Sequence, residues 1–276
     1  MTIPTVRPPR PVRPQTTLEV VRREQLSPHL VRIVLSGAEF DDFVTNESTD
    51  KYVKIFFAKP ELGLRRPYDL VALRDTLAPE DLPVTRTYTV RNVDAEARTL
   101  SIDFVVHGDD GLAGPWADAA KPGDLLTFSG PGGGYAPDPR ADWHLFAGDQ
   151  SALPAIASAL EALPASATGL AFIQVADATE ILQLTAPPAV AVQWLFGQSP
   201  ALLVDAVEGA TWLPGRPQIF AHGERSAMKG LREVFSARGV QRAELSLSGY
   251  WALGRTEDKF QAEKREPVGV ILPVPG

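Results

Sequence analysis

The chain has 276 residues, of which 44% are hydrophobic and 22% charged, and these fractions are ordinary for a globular protein. This length favours two domains over one, because a domain commonly holds about 100 to 150 residues. The absence of cysteine excludes disulfides, thiolate metal sites and cysteine-ligated iron–sulfur clusters, and four histidines do not suggest a multi-histidine metal site. The net charge of -7 argues against nucleic acid as a partner, which requires a dense basic face.

The sequence predicts no membrane insertion. No stretch approaches the roughly 18 uninterrupted apolar residues that a membrane helix needs. Residues 1–15 are a mixture of proline, arginine and small polar residues without the basic-then-apolar layout of a secretory signal, so we interpret them as a solvated arm. A cytoplasmic location is the expectation that follows.

Residues 16–138 carry the pattern of an all-β domain. Short, β-branched and nearly alternating runs are separated by breaks that contain proline, glycine or aspartate. Six such runs predict an antiparallel Greek-key barrel, in which closure removes the exposed strand edges. The predicted strands cover residues 17–23, 30–36, 52–58, 86–92, 99–107 and 125–129.

The residue pattern changes after Gly132-Gly133-Gly134, and residues 139–252 alternate between strand and helix patterns. Such alternation predicts an α/β domain with a mostly parallel sheet covered on both faces. Residues 253–276 form a charged tail that we expect to be partly helical, with a solvated terminal helix as its simplest role. The predicted strands are 143–147, 170–176, 190–196, 217–222 and 242–249, and the predicted helices are 151–163, 199–207 and 224–238.

Two motifs carry a family resemblance. Residues 86–91 read Arg-Thr-Tyr-Thr-Val-Arg, which resembles the flavin signature of the ferredoxin-reductase superfamily. Residues 148–156 read Gly-Asp-Gln-Ser-Ala-Leu-Pro-Ala-Ile, which is similar to a stretch of the siderophore-interacting proteins that has Glu-Thr in place of Gln-Ser. Shorter matches follow in the same order at 106–108, 111–117, 121–124 and 249–251, so the chain resembles the siderophore-interacting ferric reductases over nearly all of residues 16–266.

The resemblance implies a bound FAD. In such a site Tyr88 lies against the isoalloxazine, Thr89 offers a hydroxyl near its N5 and Arg86 meets the pyrophosphate with forked hydrogen bonds. A strand with a surface arginine and a core tyrosine is the alternative for these residues. The other residues implied are His107 beside the adenine or ribose phosphate, and Gly111, Ala113, Gly114 and Trp116, whose turn leads into a short helix predicted at 116–120.

The α/β half lacks Gly-x-Gly-x-x-Gly, so an ordinary dinucleotide-binding turn is not indicated. The family likeness implies that two strand ends meet the electron donor, with NADH, NADPH and reduced ferredoxin left open. Helix capping alone is the alternative explanation for two of these residues, Asp149 and Ser151. The donor-site residues implied are Gly148, Asp149, Ser151, Gly223 and Glu224, with Lys259 and Lys264 of the tail resembling relatives that use NADH.

The resemblance also implies a ferric siderophore as substrate. Lys54 matches one of the basic residues with which relatives attract the anionic chelate, and Arg255 offers a second cation. The chain departs from the family pattern at Gly132 and Ala252, where relatives often have arginine, and at His222. We therefore expect a chelate that is less anionic than a tris-catecholate, such as a hydroxamate.

Three functions are compatible with these observations. The first is a ferric-siderophore reductase, the second a general flavin or electron-transfer reductase, and the third a siderophore-binding module without catalysis. The joint presence of Arg86, Tyr88 and Thr89 favours catalysis, because a pure binder has no need for all three. Flavin absorbance that NADH or NADPH bleaches separates the reductases from the binder. We expect a monomer, although nothing in the sequence specifies the oligomeric state.

Overall fold

The computed structural model describes residues 14–106 and 111–271. Six strands form a closed barrel, in which every neighbouring pair is antiparallel and the spatial order is β1-β2-β5-β4-β3-β6. The step from β2 to β5 makes this a Greek-key order, so the predicted architecture is confirmed. The strands are β1 (Gln15–Ser27), β2 (Leu30–Ser36), β3 (Tyr52–Phe57), β4 (Val84–Asp94), β5 (Thr99–Val105) and β6 (Leu125–Gly132).

The second half is an α/β unit with five parallel strands in the order β11-β10-β7-β8-β9. The predicted fold class is therefore confirmed for this half as well. Its strands are β7 (Trp143–Asp149), β8 (Thr168–Val175), β9 (Ala189–Phe196), β10 (Pro217–Glu224) and β11 (Leu245–Trp251). The helices of the chain are α1 (Leu70–Thr76), α2 (Ala113–Ala119), α3 (Leu153–Ala162), α4 (Pro200–Gly209), α5 (Arg225–Ala237) and α6 (Glu257–Glu263).

Three apolar clusters form the core, and one of them joins the two halves. One fills the barrel, and a second lies between the sheet and helices α4 and α5. The third joins α3 to the opposite face of the sheet and includes Leu30 of the barrel. Because the chain leaves β7 toward β8 and β9 and then returns to place β10 on the other side, the crevice between β7 and β10 is a topological switch point. Ligands of open α/β sheets bind at such points, beside the carboxyl ends of the strands.

The differences from the sequence-based expectation include one helix that was missed and two elements whose starts are shifted. Helix α1 follows a proline-rich loop and was not predicted; the Asp69 carboxylate starts it by accepting hydrogen bonds from the backbone of Val71 and Ala72. Helix α2 begins three residues earlier than predicted. Strand β11 begins at Leu245 because residues 242–244 form a 3-10 turn. Among the described residues, no helix combines the length and apolar character needed to cross a bilayer.

Candidate functional site

Strand β4 carries the predicted flavin residues along the rim of the barrel. Arg86 and Tyr88 alternate with Thr89, which lies on the opposite pleat and opposite Tyr52 of β3. The Tyr88 ring is 4.4 Å from the Phe104 ring between centroids and tilted by 35°. Burial raises the pKa of Tyr88, with Glu257 adding to the shift, so the phenol stays neutral. The strand thus presents a cation, an aromatic ring and a hydroxyl within four residues.

An aromatic ledge continues from Tyr88 toward α2. The Trp116 ring lies 5.7 Å from Phe104 and 5.8 Å from Phe57 between centroids. Ala113 and Gly114, which open α2, are buried, and Gly111 precedes them with a φ of +82°. His107 lies outside the described residues. Through Phe104, the start of α2 is thus connected to Tyr88 of β4.

Arg86 forms a fork-shaped ion pair with helix α6. Its guanidinium donates to both carboxylate oxygens of Asp258, at 2.8 and 3.3 Å, and to the Thr85 carbonyl at 3.0 Å. The Asp258 side chain is 73% exposed, whereas Arg86 is only 14% exposed. The two N–H groups with which Arg86 would bind a pyrophosphate therefore bind the Asp258 carboxylate here.

The Asp149 carboxylate organises the turn after β7. One oxygen accepts hydrogen bonds from the Ser151 backbone at 2.9 Å and the Ser151 hydroxyl at 2.5 Å. The other accepts from the Glu224 backbone at 2.7 Å and the Trp251 indole at 2.8 Å. Burial raises the pKa of Asp149, although these hydrogen bonds oppose the shift. One side chain therefore connects the ends of β7, β10 and β11.

Two glycines allow these strand ends to approach so closely. A Cβ atom on Gly148 would lie 2.7 Å from the His222 carbonyl oxygen and 2.8 Å from the Ala152 Cβ. Gly223 has a φ of +150°, and a Cβ there would lie 2.6 Å from the Asp149 carboxylate. Any side chain at either position would displace backbone or the carboxylate, so the crevice at the switch point depends on both glycines.

Glu224 caps the next helix. Its carboxylate accepts hydrogen bonds from the backbone of Ser226 and, at 3.0 Å, of Ala227 in the first turn of α5. It also accepts from the Leu253 backbone at 3.1 Å, just after β11. The carboxylates of Glu224 and Asp149 thus hold neighbouring strand ends and the start of α5 together.

Tyr250 forms the wall of the crevice that faces the barrel. Its pKa is raised by burial and by the charge of Asp50, while a hydrogen bond with Thr89 opposes the shift. Behind it, the His222 ring meets Tyr250 edge-on at 5.0 Å and stacks on Phe220 at 3.9 Å between centroids. The barrel and the sheet therefore meet through Thr89 and Tyr250, with an aromatic column underneath.

His222 is buried and uncharged. Its Nε2 is 2.9 Å from the Ser246 hydroxyl, and its Nδ1 has no hydrogen-bond partner among the described residues. Burial lowers the pKa of His222 to about 3, from an ordinary value of 6.5. The folded chain therefore resists protonation at a position where the unfolded chain accepts a proton readily.

This difference predicts an acid-side loss of stability. As pH falls below 6.5, the unfolded state binds a proton that the folded state refuses, so the free energy of unfolding falls until pH about 3. Between pH 7.5 and 5 the loss from this residue is about 2 kcal/mol. We expect His222→Phe, which keeps the stacked ring, to remove this part of the slope in urea unfolding measured across pH. Parallel wild-type and variant curves from pH 7.5 to 5 would contradict the assignment.

The cations predicted for the substrate site and the tail differ in their contacts. The Lys54 ammonium donates to the Thr87 hydroxyl at 3.2 Å and lies close enough to Lys264 to help lower the pKa of that lysine, although loss of hydration is the main cause. Lys264 also lies 4.6 Å from the centre of the Phe260 ring, and Lys259 is exposed on α6. Arg255 instead pairs with Glu263 at 2.8 Å.

Glu263 binds two arginines at once and fixes α6 to the α/β unit. It pairs with Arg255 through one oxygen and with Arg225, the first residue of α5, at 2.7 Å through the other. The buried Phe260 ring packs under the Arg225 guanidinium at 5.8 Å. Helix α6 therefore bridges the crevice, with one end tied to α5 and Asp258 tied to β4.

The family departures have visible consequences. Gly132 lies under the Tyr52 ring, since a Cβ there would be 2.4 Å from the Tyr52 Cζ. Ala252 is 3% exposed, so little of it reaches the surface. An aromatic ring thus occupies the space beside Gly132 that a longer side chain would need.

Sequence reasoning did not select several residues that the fold brings to the crevice. Tyr250 and Trp251 belong to the short motif at 249–251, and that motif was the available signal for them. Asp258 and Glu263 sit in a charged tail whose pattern fits any exposed helix, so no local signal distinguished them.

Two family descriptions match the chain. A siderophore-interacting FAD-binding domain matches residues 19–135, which span the barrel. A siderophore-interacting protein domain matches residues 141–254, which span the α/β unit. Together these matches cover more than half of the chain.

Individual proteins are similar over most of their length. An uncharacterized protein of Mycobacterium tuberculosis is 47% identical, with 92% of this chain and 96% of that protein covered. The ferric vibriobactin reductase ViuB of Vibrio cholerae is 32% identical, covering 90% and 93%. An NADPH-dependent ferric-chelate reductase of Escherichia coli is 31% identical, covering 85% and 91%. The crystal structure of a siderophore utilization protein from T. fusca has a TM-score of 0.77 at 37% identity, covering 88% and 94%.

Proposed function

The chain belongs to the siderophore-interacting protein family, and from this premise we propose that it is an FAD-dependent ferric-siderophore reductase. The observation that carries the proposal is that β4, which bears Arg86, Tyr88 and Thr89, meets the α/β unit through Thr89 with Tyr250 and through Arg86 with Asp258, next to the switch point of the sheet. Two relatives named as ferric reductases support this choice.

The residues present fit a flavin. The Arg86 fork has the shape that a pyrophosphate requires, and the Tyr88 ring continues an apolar ledge. Gly148 and Gly223 let the turns after β7 and β10 pack directly against each other, with no side chain between them. We propose that Arg86, Tyr88, Thr89, Gly111, Ala113, Gly114 and Trp116 hold FAD, and that His107 belongs to the same set.

We further propose that the two strand-end turns receive NADH or NADPH. Gly148 and Gly223 allow the two turns to approach closely, while Asp149, Ser151 and Glu224 fix the backbone of the turns through the hydrogen bonds described above. Lys259 lies on α6, which bridges the same crevice, and Lys264 directly follows this helix, so both can attract the donor's phosphates. The name of the E. coli relative supports a pyridine nucleotide over reduced ferredoxin. Because that donor pool is cytoplasmic, so is the proposed location.

The iron chemistry needs electrons and no nucleophile. Hard oxygen chelators hold ferric iron far better than ferrous iron, so one-electron reduction releases the metal without cleavage of the ligand. When bound, FAD accepts a hydride and returns its electrons singly, while the protein supplies position and electrostatics. Lys54 contributes positive charge beside the crevice, and Arg255, held by Glu263, contributes less.

Anaerobic reduction of the reconstituted protein tests the proposal. We expect the FAD-loaded chain to lose flavin absorbance on addition of NADH or NADPH and to regain it on addition of a ferric siderophore, with ferrozine trapping Fe(II). Reoxidation by oxygen or free flavin but not by the chelate would favour a general flavin reductase. A chain that binds no FAD would refute both reductase functions.

The Tyr52 ring beside Gly132 predicts chelate selectivity. We expect Tyr52→Ala/Gly132→Arg to bind a triply anionic ferric tris-catecholate about fivefold more tightly than wild type, because one added surface cation contributes up to about 1 kcal/mol. Binding of neutral ferric tris-acetohydroxamate should change little. Quenching of tryptophan fluorescence measures both affinities.

The matched control places the same cation nearby. Tyr52→Ala/Gly134→Arg adds an arginine where a Cβ meets nothing within 4 Å. If this control improves tris-catecholate binding equally, the effect is general electrostatics and position 132 does not determine selectivity.

A further inference from the structure

A buried carboxylate outside the flavin and donor residues joins the two halves of the molecule. Glu180 is fully buried, in a short 3-10 turn that follows β8. All of its side-chain partners come from other elements. One oxygen accepts from the Ser27 hydroxyl at 2.5 Å and from the Gln150 amide at 2.7 Å, and the other is 2.5 Å from the His29 Nδ1.

The partners of Glu180 connect two specific places. Ser27 and His29 belong to the tight turn between β1 and β2 of the barrel. Gln150 lies between Asp149 and Ser151 in the turn after β7, at the switch point of the sheet. The carboxylate therefore links the barrel, which carries the flavin residues, to the turn that faces the donor.

We propose that Glu180 is a positioning residue, which sets the distance between the barrel and the donor turn through Ser27, His29 and Gln150. The inference rests on the proposed function, since the turn matters for catalysis only if a donor binds there. All three donors are needed, because a buried carboxylate that lacks hydrogen-bond donors destabilises the folded state. Burial opposes ionisation, yet the hydrogen bonds from Ser27, His29 and Gln150 outweigh it and hold the pKa of Glu180 below its ordinary value.

The donor and acceptor pattern allows a rescue test. Glu180→Gln can turn its amide nitrogen toward Ser27 and Gln150, where it meets the Gln150 donor, or toward the His29 Nδ1, and in either orientation one of the two accepting oxygens is lost. Gln150→Glu places two carboxylates 2.7 Å apart. The double variant Gln150→Glu/Glu180→Gln restores one donor and one acceptor: the amide nitrogen at position 180 then donates to the carboxylate at 150 and to the Ser27 hydroxyl oxygen, and its amide oxygen accepts from His29. We expect each single variant to lose the link and the double variant to recover it.

The cysteine-free chain makes the distance measurable. Spin labels on Glu96→Cys of the barrel and Glu208→Cys of α4, both exposed positions, report the separation of the two halves by pulsed electron paramagnetic resonance. We expect a broader distance distribution in either single variant of the pair and a wild-type width in the double variant. In the FAD-loaded chain we expect the rate of flavin reduction by NADH or NADPH to fall about tenfold or more, with little change in KM, because misplacement of about 1 Å can cost a hundredfold.

Glu161→Gln is the matched control. Glu161 also crosses between the halves, since it pairs with Arg91 of β4 at 2.8 Å, but it lies at the far end of α3 from the donor turn. An unchanged distance distribution in Glu180→Gln, or an equal rate loss in Glu161→Gln, would overturn the proposal. If the wild-type flavin is not reduced by either nucleotide, the proposed function fails instead, and the distance measurement still decides whether Glu180 fixes the two halves.

Discussion

An Arg86→Ala variant is expected to bind FAD about ten- to a hundredfold more weakly than the wild-type chain. A hydrogen bond to a charged group contributes about 1.5–3 kcal/mol, and each 1.4 kcal/mol is a factor of about ten in affinity. Arg86→Lys should recover only part of the loss, because an ammonium keeps the charge without the fork. Titration of apoprotein with FAD, followed by flavin fluorescence, measures the three dissociation constants.

The Asp258 carboxylate competes with FAD for Arg86, and the strength of this ion pair determines how much FAD affinity it can reduce. An ion pair with a partner as exposed as Asp258 contributes about 0.2–1 kcal/mol, which is less than the expected pyrophosphate interaction. We therefore expect Asp258→Asn to tighten FAD binding only a few-fold. If Arg86→Ala bound FAD as well as wild type while Asp258→Asn had no effect, Arg86 would be a structural partner of α6 and not a pyrophosphate ligand.

The fold followed from periodic patterns, and the errors lie where local chemistry determines the boundary. The alternation in both halves predicted the barrel and the parallel sheet. Helix α1 was missed because its seven residues depend on a cap from Asp69 and not on an apolar face. Residues 242–244 were assigned to a strand, but the Glu244 carboxylate accepts from the Gln241 backbone at 2.8 Å and the Glu244 N–H donates to the Gln241 carbonyl at 3.0 Å, which closes a 3-10 turn there.

The candidate site was less accessible to sequence reasoning, because its residues meet only in three dimensions. Motifs were enough to select Asp149 and Glu224. They did not predict that the Asp149 carboxylate accepts a hydrogen bond from the backbone N–H of Glu224. Glu180 had no sequence signal at all, since a lone glutamate after a strand is usually solvated. Its partners are separated from it by 153, 151 and 30 positions, so only the folded chain brings them together.

The acidic residues around the crevice differ in burial and in the number of their hydrogen-bond donors, so we expect different roles for them. Asp149 and Glu180 are held by donors from several elements, so they fix geometry. Asp258 is exposed and pairs with one arginine, so it is the carboxylate that an anionic ligand can displace. A variant that neutralises each in turn should therefore separate the alignment of the two halves from flavin affinity.

Asp149→Asn is expected to have the second large effect. Each carboxylate oxygen accepts from two donors, so an amide nitrogen in either orientation faces two N–H or O–H groups. An unpaired buried donor costs about 1–3 kcal/mol, which predicts a loss of unfolding free energy on the order of 2–5 kcal/mol. The turns after β7 and β10 should also separate, so kcat/KM for NADH or NADPH should fall at least about tenfold.

Asp177→Asn is the matched control for this effect. Asp177 accepts the same local pair of hydrogen bonds, from the Thr179 backbone at 2.8 Å and the Thr179 hydroxyl at 2.6 Å, but it is exposed and, within the part of the chain that the structure describes, makes no hydrogen bond to β10 or β11. Urea unfolding and steady-state kinetics should show a small change there. Equal losses in both variants would mean that the local turn motif causes the effect. A loss confined to Asp149→Asn would assign the effect to the hydrogen bonds with Glu224 and Trp251, because only those bonds hold neighbouring strand ends together.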